Sequence, residues 1–218
     1  MLSVAGIELL PPLPVFIAFA LAGLALNLVP GADMTFIIAS AARGGRRGGV
    51  VASLGVGAGT LVHISAAVLG LSALLASSEA AFTLIKWLGA AYLLYLAVSL
   101  LVSRSNHERQ PVASHRSGLK LFRAAILVNV LNPKVALFFL AFLPQFVDVH
   151  ASVPALQILC LGLWFDLVGT LVNIAIAVVT ASTAERLRGV AWLSRAARYL
   201  AATAMGALAL RLALAERR

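Results

Sequence analysis

Six runs of apolar residues, each close to the length that crosses a membrane, constrain this chain more than anything else in it. A bilayer core takes roughly 20 apolar residues per helix. Stretches near 14 to 42, 49 to 76, 80 to 102, 121 to 146, 153 to 181 and 192 to 215 reach or approach that length. Lipid offers the backbone no hydrogen bonds, so each run has to satisfy itself as helix. With 61% hydrophobic and 11% charged residues, the chain also lacks the polar surface that a soluble domain keeps in water. The expected fold is an all-α polytopic membrane protein whose single transmembrane domain takes up residues 1 to 218. The opening "MLSVAGIELLPPLP" carries Glu8 but no Lys or Arg, so the first run reads as a retained span and not as a secretory leader.

Charge then orients the spans. "RGGRR" (43 to 47), the segment from Arg104 to Arg123 and the segment from Arg186 to Arg198 are basic, while the alternate connections "SSE" (77 to 79) and "QFVDVHAS" (145 to 152) contain no Lys or Arg. Six spans put all three basic connections on one side, and the positive-inside rule makes that side the cytoplasm. The net charge of +9 is thereby explained by topology, without a nucleic-acid partner.

The chain also resembles itself. "NLVP" (27 to 30) recurs as "VLNP" (130 to 133), "GTLVHISAA" (59 to 67) as "GTLVNIAIA" (169 to 177), and "KWLGAA" (86 to 91) is echoed by "RYLAAT" (198 to 203). The offsets are nearly constant, roughly 100 to 110 residues, and the order of the motifs is kept. The repeats then cover about 14 to 103 and 121 to 215, joined by a cytoplasmic loop over about 104 to 120. Each holds three spans, an odd number, so the halves insert with opposite orientation. That is the inverted-repeat plan of many secondary transporters, in which broken helices meet near the midplane.

Pro30 and Pro133 mark those breaks, in spans one and four. At about 1.5 Å per residue each lies about 15 to 20 Å from the nearest basic cluster, near half the membrane. Proline removes a backbone donor and clashes with the preceding turn, and Gly31 relaxes the chain beside it. The freed polar groups need protein or a watery cavity. Asp33 lies one turn past Pro30, where a carboxylate costs roughly 2.5 to 3.5 kcal/mol on insertion scales unless it faces protein or water. It reads as a substrate-binding or proton-coupling group, and a structural ion pair with Lys134 is the competing reading. Asp166, Gly169 and Asn173 share one face of the fifth span, and Gly55, Gly59 and His63 share one face of the second. The glycines suit close helix packing and also permit a homodimer contact. His63 matches Asn173 in the repeat. Asn129 and Asn132 either bind a polar ligand or cap the broken fourth helix.

Other function classes lack their residues. Cys160 is the single cysteine, so no disulfide, CxxC pair or thiolate zinc site exists within the chain. Ser65 and His63 are two residues apart and point in different directions on a helix, which rules against a hydrolase pair. His63, His107, His115 and His150 are scattered, so no metal-ligand cluster is read and no cofactor is expected. A channel, or a transporter of metal ions or other small metabolites, stays as the alternative to an exporter.

"VPGADMTFIIASAARGGRRGGVVASLGVGAGTLVH", "IKWLGAAYLLYL" and "NVLNPKVALFFLAFLPQFV" resemble signature stretches of the LysE/RhtB family of bacterial amino-acid exporters, and the likeness runs from about Phe16 to Leu212. The resemblance implies a multi-pass inner-membrane exporter of amino acids or their derivatives driven by the proton gradient. It points to Pro30, Gly31, Asp33, Asn132, Pro133 and Lys134. The family pattern reads Pro-Gly-Pro where this chain has Ala32, which leaves the first break less rigid. Members often carry Asp near the position of Asn173, and here Asp166 stands nearby as a substitute.

Overall fold

A computed structural model describes residues 3–4, 7–71, 117–148, 151 and 153–183, with isolated positions at 87, 91, 94, 95, 98, 203 and 210. The expected third and sixth spans, the loop at 104 to 120 and the "KWLGAA" and "RYLAAT" matches lie largely outside the described residues. Apart from a two-residue antiparallel pairing of Ser3–Val4 with Ile7–Glu8, every described element is helical.

Helix α1, Leu13–Leu28, starts where Pro14 can sit in a first turn that needs no proline N–H. It ends at Val29, whose extended backbone (φ −69°, ψ 122°) leads into Pro30. Helix α2, Ala32–Ala66, begins directly after Gly31. It is not straight. Gly45 has φ 61° and ψ −161°, a conformation open to glycine and strained for other residues. There the chain doubles back. A Cβ on Gly48 would lie 2.7 Å from the carbonyl oxygen of Ser40, and one on Gly49 would lie 2.8 Å from the Cβ of Ala41. In a continuous helix eight residues advance about 12 Å, so α2 consists of two antiparallel arms, 32–44 and 46–66. The basic stretch 43 to 47 forms the turn between them. The second arm runs on in π form over Ala67–Leu71.

Helix α3, Gly118–Val130, and helix α4, Pro133–Leu137, meet at a bend of 48° measured across Gly118–Val130 and Pro133–Phe146. Past Leu137 the chain continues as a π segment, Phe138–Phe142, and a 3-10 turn, Leu143–Phe146. Helix α5, Pro154–Thr183, runs 30 residues, about 45 Å, without a break. The apolar stretch Pro154–Ser182 exceeds the length needed to cross a bilayer, and the second arm of α2 with its π continuation to Leu71 is long enough as well. Lipid-type exposure follows the helices: Leu13, Ile17, Leu21, Leu24 and Leu28 form one exposed stripe on α1, and Leu163, Leu167 and Leu171 face outward on α5.

Two apolar clusters hold these helices together. The larger packs Phe19 and Leu26 of α1 against Phe138, Phe139, Phe142 and Phe146 and against Phe165 of α5. Its rings meet at short range, with Phe138 and Phe165 stacked at 4.5 Å and Phe142 tilted on Phe146 at 4.9 Å. The smaller joins Phe36, Ile37, Ala41, Ala52 and Val56 of α2 to Ala125 of α3 and Ala177 of α5. Along α1 and α2 the changeover falls between Val29 and Phe36. Along α3 and α4 it falls between Ala125 and Val135. Both helix breaks therefore lie at the seam between the clusters.

Candidate functional site

At each break a helix ends with carbonyls that its own turns cannot satisfy, and another begins with free amides. At the first break Val29 N–H returns to Ala25 O and Leu26 O at 3.2 and 3.1 Å, while Thr35 N–H reaches Gly31 O at 3.0 Å to start α2. At the second, Asn132 caps α4: its Oδ1 accepts from Lys134 N–H at 3.0 Å, and Pro133 takes the position that needs no donor.

The two breaks are tied to each other twice. Lys134 sends its ammonium across to the end of α1, where Nζ donates to Val29 O at 3.0 Å and to Leu26 O at 3.3 Å. A cation at a helix carboxyl terminus meets the negative end of the dipole as well as free carbonyls. Gly31 makes room for this side chain, because a Cβ there would come within 3.3 Å of Nζ. In the other direction Asn129, at the end of α3, donates Nδ2–H to Asp33 Oδ2 at 2.9 Å. Asn129 is 1% exposed and Asp33 7%. Thr60 holds the Asn129 amide in that orientation, its hydroxyl shared between Val56 O at 3.2 Å and Asn129 Oδ1 at 3.4 Å. The backbone carbonyl of Asn129 accepts Asn132 N–H at 2.9 Å and His63 Nε2–H at 3.1 Å, so His63 serves the end of α3 as Lys134 serves the end of α1. His63 also stacks on Phe139, with centroids 6.2 Å apart.

A small, partly open cavity lies beside these ties. Asp33, Asn129 and Lys134 line it from the breaks, and Asp166, Thr170 and Asn173 line it from α5. Small residues let α5 approach: a Cβ on Gly169 would lie 2.9 Å from Asn27 Oδ1, and one on Gly57 would lie 2.6 Å from Thr170 Oγ1. Three buried polar atoms near the breaks have no hydrogen-bond partner among the described residues: Asp33 Oδ1, Asn132 Nδ2 and Asn27 Nδ2. The Asn132 amide approaches Asp33 without closing a hydrogen bond. An unpaired buried polar group costs about 1 to 3 kcal/mol; Asn27 and Asp33 both line the cavity, and Asn132 stands at the second break beside it. Among the described residues no three His, Cys, Asp or Glu side chains gather as metal ligands.

A family model described as LysE type translocator matches residues 24–216. The chain belongs to the LysE type translocator family. Among the relatives of this translocator is an uncharacterized membrane protein of Vibrio cholerae serotype O1, 36% identical over 134 residues, which are 62% of this chain and 65% of the relative. Another is an uncharacterized membrane protein of Pseudomonas aeruginosa, 36% identical over 149 residues, 66% of this chain and 69% of that one. No solved structure matches the chain. LysE type translocators carry small molecules across membranes; the family is one of transporters, and the protein is a membrane protein.

In this translocator Asp33, Asn129, Lys134, Asp166 and Asn173 come together around one cavity, with Gly169 in its wall. Pro30, Gly31, Asn132 and Pro133 form the breaks beside it. His63 does not line the cavity; it approaches Asn129 from the other side. Gly55 and Gly59 of the same face pack on α3, where Cβ atoms would meet Ala125 Cβ at 2.6 Å and Asn129 Cβ at 2.8 Å. Asp33 and Lys134 are not hydrogen bonded to each other; the lysine stem carries the ammonium to the α1 carbonyls, with the carboxylate near enough to act on it as a charge. Sequence reasoning missed Asn27, Thr60 and Thr170, which also line the cavity. The threonines had a signal: they hold the same place in "GTLVH" and "GTLVN", the pair that defines the repeat.

Proposed function

We propose that this LysE type translocator is a secondary active exporter of amino acids or amino-acid derivatives, working by proton antiport across the bacterial inner membrane. The proposed architecture is six spans in two inverted three-helix repeats, 14 to 103 and 121 to 215, with spans one and four broken at Pro30 and Pro133. The observation that carries the reading is the reciprocal tie between the breaks: Asn129 to Asp33 in one direction, Lys134 to the end of α1 in the other. Matching threonines of the two repeats on one cavity support the internal symmetry.

The unpaired atoms suit a zwitterion. Asp33 Oδ1 attracts an ammonium, while the Asn27 and Asn132 amides are donors for a carboxylate. Asp33 then exchanges a proton for substrate as the site alternates between the two sides, and Asp166 across the cavity offers a second carboxylate. A transporter of metal ions is the weaker reading, since amide donors have no use for a bare cation.

The test is efflux of a radiolabelled mixture of the common amino acids from preloaded vesicles, for the wild type and Asp33→Asn, with and without an imposed pH gradient. The expected result is gradient-dependent efflux that falls at least tenfold in the variant. A wild type that moves no amino acid under any gradient sinks the substrate class. Equal efflux by both proteins removes Asp33 from the coupling path.

A further inference from the structure

The lysine at the second break has an odd assignment. Lys134 lines the same cavity as Asp33 and Leu26. Its ammonium nevertheless gives Asp33 no hydrogen bond and rests on two backbone carbonyls, Val29 O at 3.0 Å and Leu26 O at 3.3 Å. Asp33 Oδ1 meanwhile has no hydrogen-bond partner among the described residues, although the residue is only 7% exposed. The lysine stem passes over the bare face of Gly31, where a Cβ would lie 3.3 Å from Nζ, 3.6 Å from Cε and 3.8 Å from Cδ. Residues 29, 31 and 33 thus form one short track: a carbonyl seat for an ammonium, a stretch without a side chain, and a carboxylate with a free oxygen. A four-carbon stem with a compact charge is suited to moving along it.

We propose that Lys134 is a tethered stand-in for the substrate's amino group. Its ammonium fills the Leu26 and Val29 carbonyl seat when the carrier is empty, and it yields that seat to a substrate's primary ammonium by swinging past Gly31 to Asp33. The inference rests on the exporter reading above and moves the substrate's ammonium from Asp33 to a seat made of backbone carbonyls, leaving Asp33 to hold the displaced lysine. It also gives the coupling a physical form. A protonated Asp33 cannot hold the lysine, so Lys134 keeps the seat and substrate is excluded; an ionised Asp33 draws the lysine away and opens it. The other ionisable groups around Asp33 are His63 on the second arm of α2 and Asp166 on α5 across the cavity. Neither reaches the carbonyl seat by a hydrogen bond.

A loaded carrier does not need the stand-in; an empty one does. Lys134→Ala should therefore lower net efflux far more than it lowers exchange of internal for external amino acid. In proteoliposomes holding the radiolabelled amino-acid mixture, exchange is started by adding the unlabelled mixture outside, and net efflux by a pH gradient alone. The expected result for Lys134→Ala is a ratio of net efflux to exchange at least tenfold below that of the wild type. Loss or retention of both activities together overturns the proposal and leaves Lys134 as a fixed helix cap. A wild type inactive in both modes overturns the exporter reading itself, a different outcome.

Should the alanine variant fail to fold, the wild type supplies the answer. The chain has three lysines, Lys86, Lys120 and Lys134. Nitrogen-15 labelling of their ammonium groups, with Lys86→Arg and Lys120→Arg for assignment, gives a bilayer NMR signal for Lys134. Adding the unlabelled amino-acid mixture should shift that signal. An unmoved Lys134 resonance, with exchange active in the same sample, overturns the stand-in.

Discussion

Asn129 is the residue on which the most contacts converge: it donates to Asp33, accepts from Thr60, and gives its carbonyl to His63 and Asn132. Asn129→Ala strips Asp33 of its one hydrogen bond. With an unsatisfied buried group costing about 1 to 3 kcal/mol, the variant should unfold at a lower temperature in detergent micelles and lose at least tenfold in efflux. Unchanged efflux with a lowered midpoint would confine Asn129 to a structural role. Asn132→Ala removes a cap worth about 0.5 to 2 kcal/mol and is expected to melt earlier than wild type but later than the Asn129 variant. Charged and amide residues inside apolar runs were legible from sequence, because lipid makes each of them expensive. Their partners were not. Lys134 follows Pro133 as Asp33 follows Pro30, which suggests a pair. Only the path of the lysine stem decides between carboxylate and carbonyl.

At the scale of elements, the turn inside α2 is the sharpest case. Gly44 and Gly45 are neighbours, yet only Gly45 has positive φ, and neither has anything within 4 Å of a Cβ. Gly45→Ala should therefore cost about 1 to 3 kcal/mol through the backbone alone. Gly44→Ala, at a helical position, should be neutral or stabilising by up to about 1 kcal/mol. Melting the two variants side by side checks this; equal midpoints would remove the strain argument. Gly55→Ala is limited by packing instead, since its Cβ would sit 2.6 Å from both Ala125 Cβ and Phe122 O. The α2 and α3 backbones would have to separate, at about 1 to 3 kcal/mol. Apolar length and basic punctuation made the two arms of α2, the α3–α4 stretch and α5 readable as helical runs. The π segments at Ala67–Leu71 and Phe138–Phe142 had no such mark, because nothing in the spacing of apolar residues tells an added residue per turn from ordinary helix.

For the molecule as a whole, the positive-inside reading sets the α2 turn and the start of α5 on opposite faces of the membrane. In a Cys160→Ser background, Gly44→Cys should react with a membrane-impermeant maleimide only from the cytoplasmic side, and Val153→Cys only from the other. Both positions are exposed. Labelling of both from one side would overturn the six-span topology. The matched motifs were visible in the sequence, and their threonines line one cavity; how far each helix is rotated toward that cavity had to come from packing.

The ties between the breaks also set an order of assembly. Asp33 lies 96 residues before Asn129, and Leu26 lies 108 before Lys134. At about 5 to 20 residues per second, a ribosome needs roughly 5 to 20 seconds to make the second half after the first break has emerged. During that interval Asp33 lacks Asn129 and the Val29 carbonyl lacks Lys134. Entry into lipid before those partners are made would carry the roughly 2.5 to 3.5 kcal/mol of a lone carboxylate in a span, a cost that entry together with the later helices avoids.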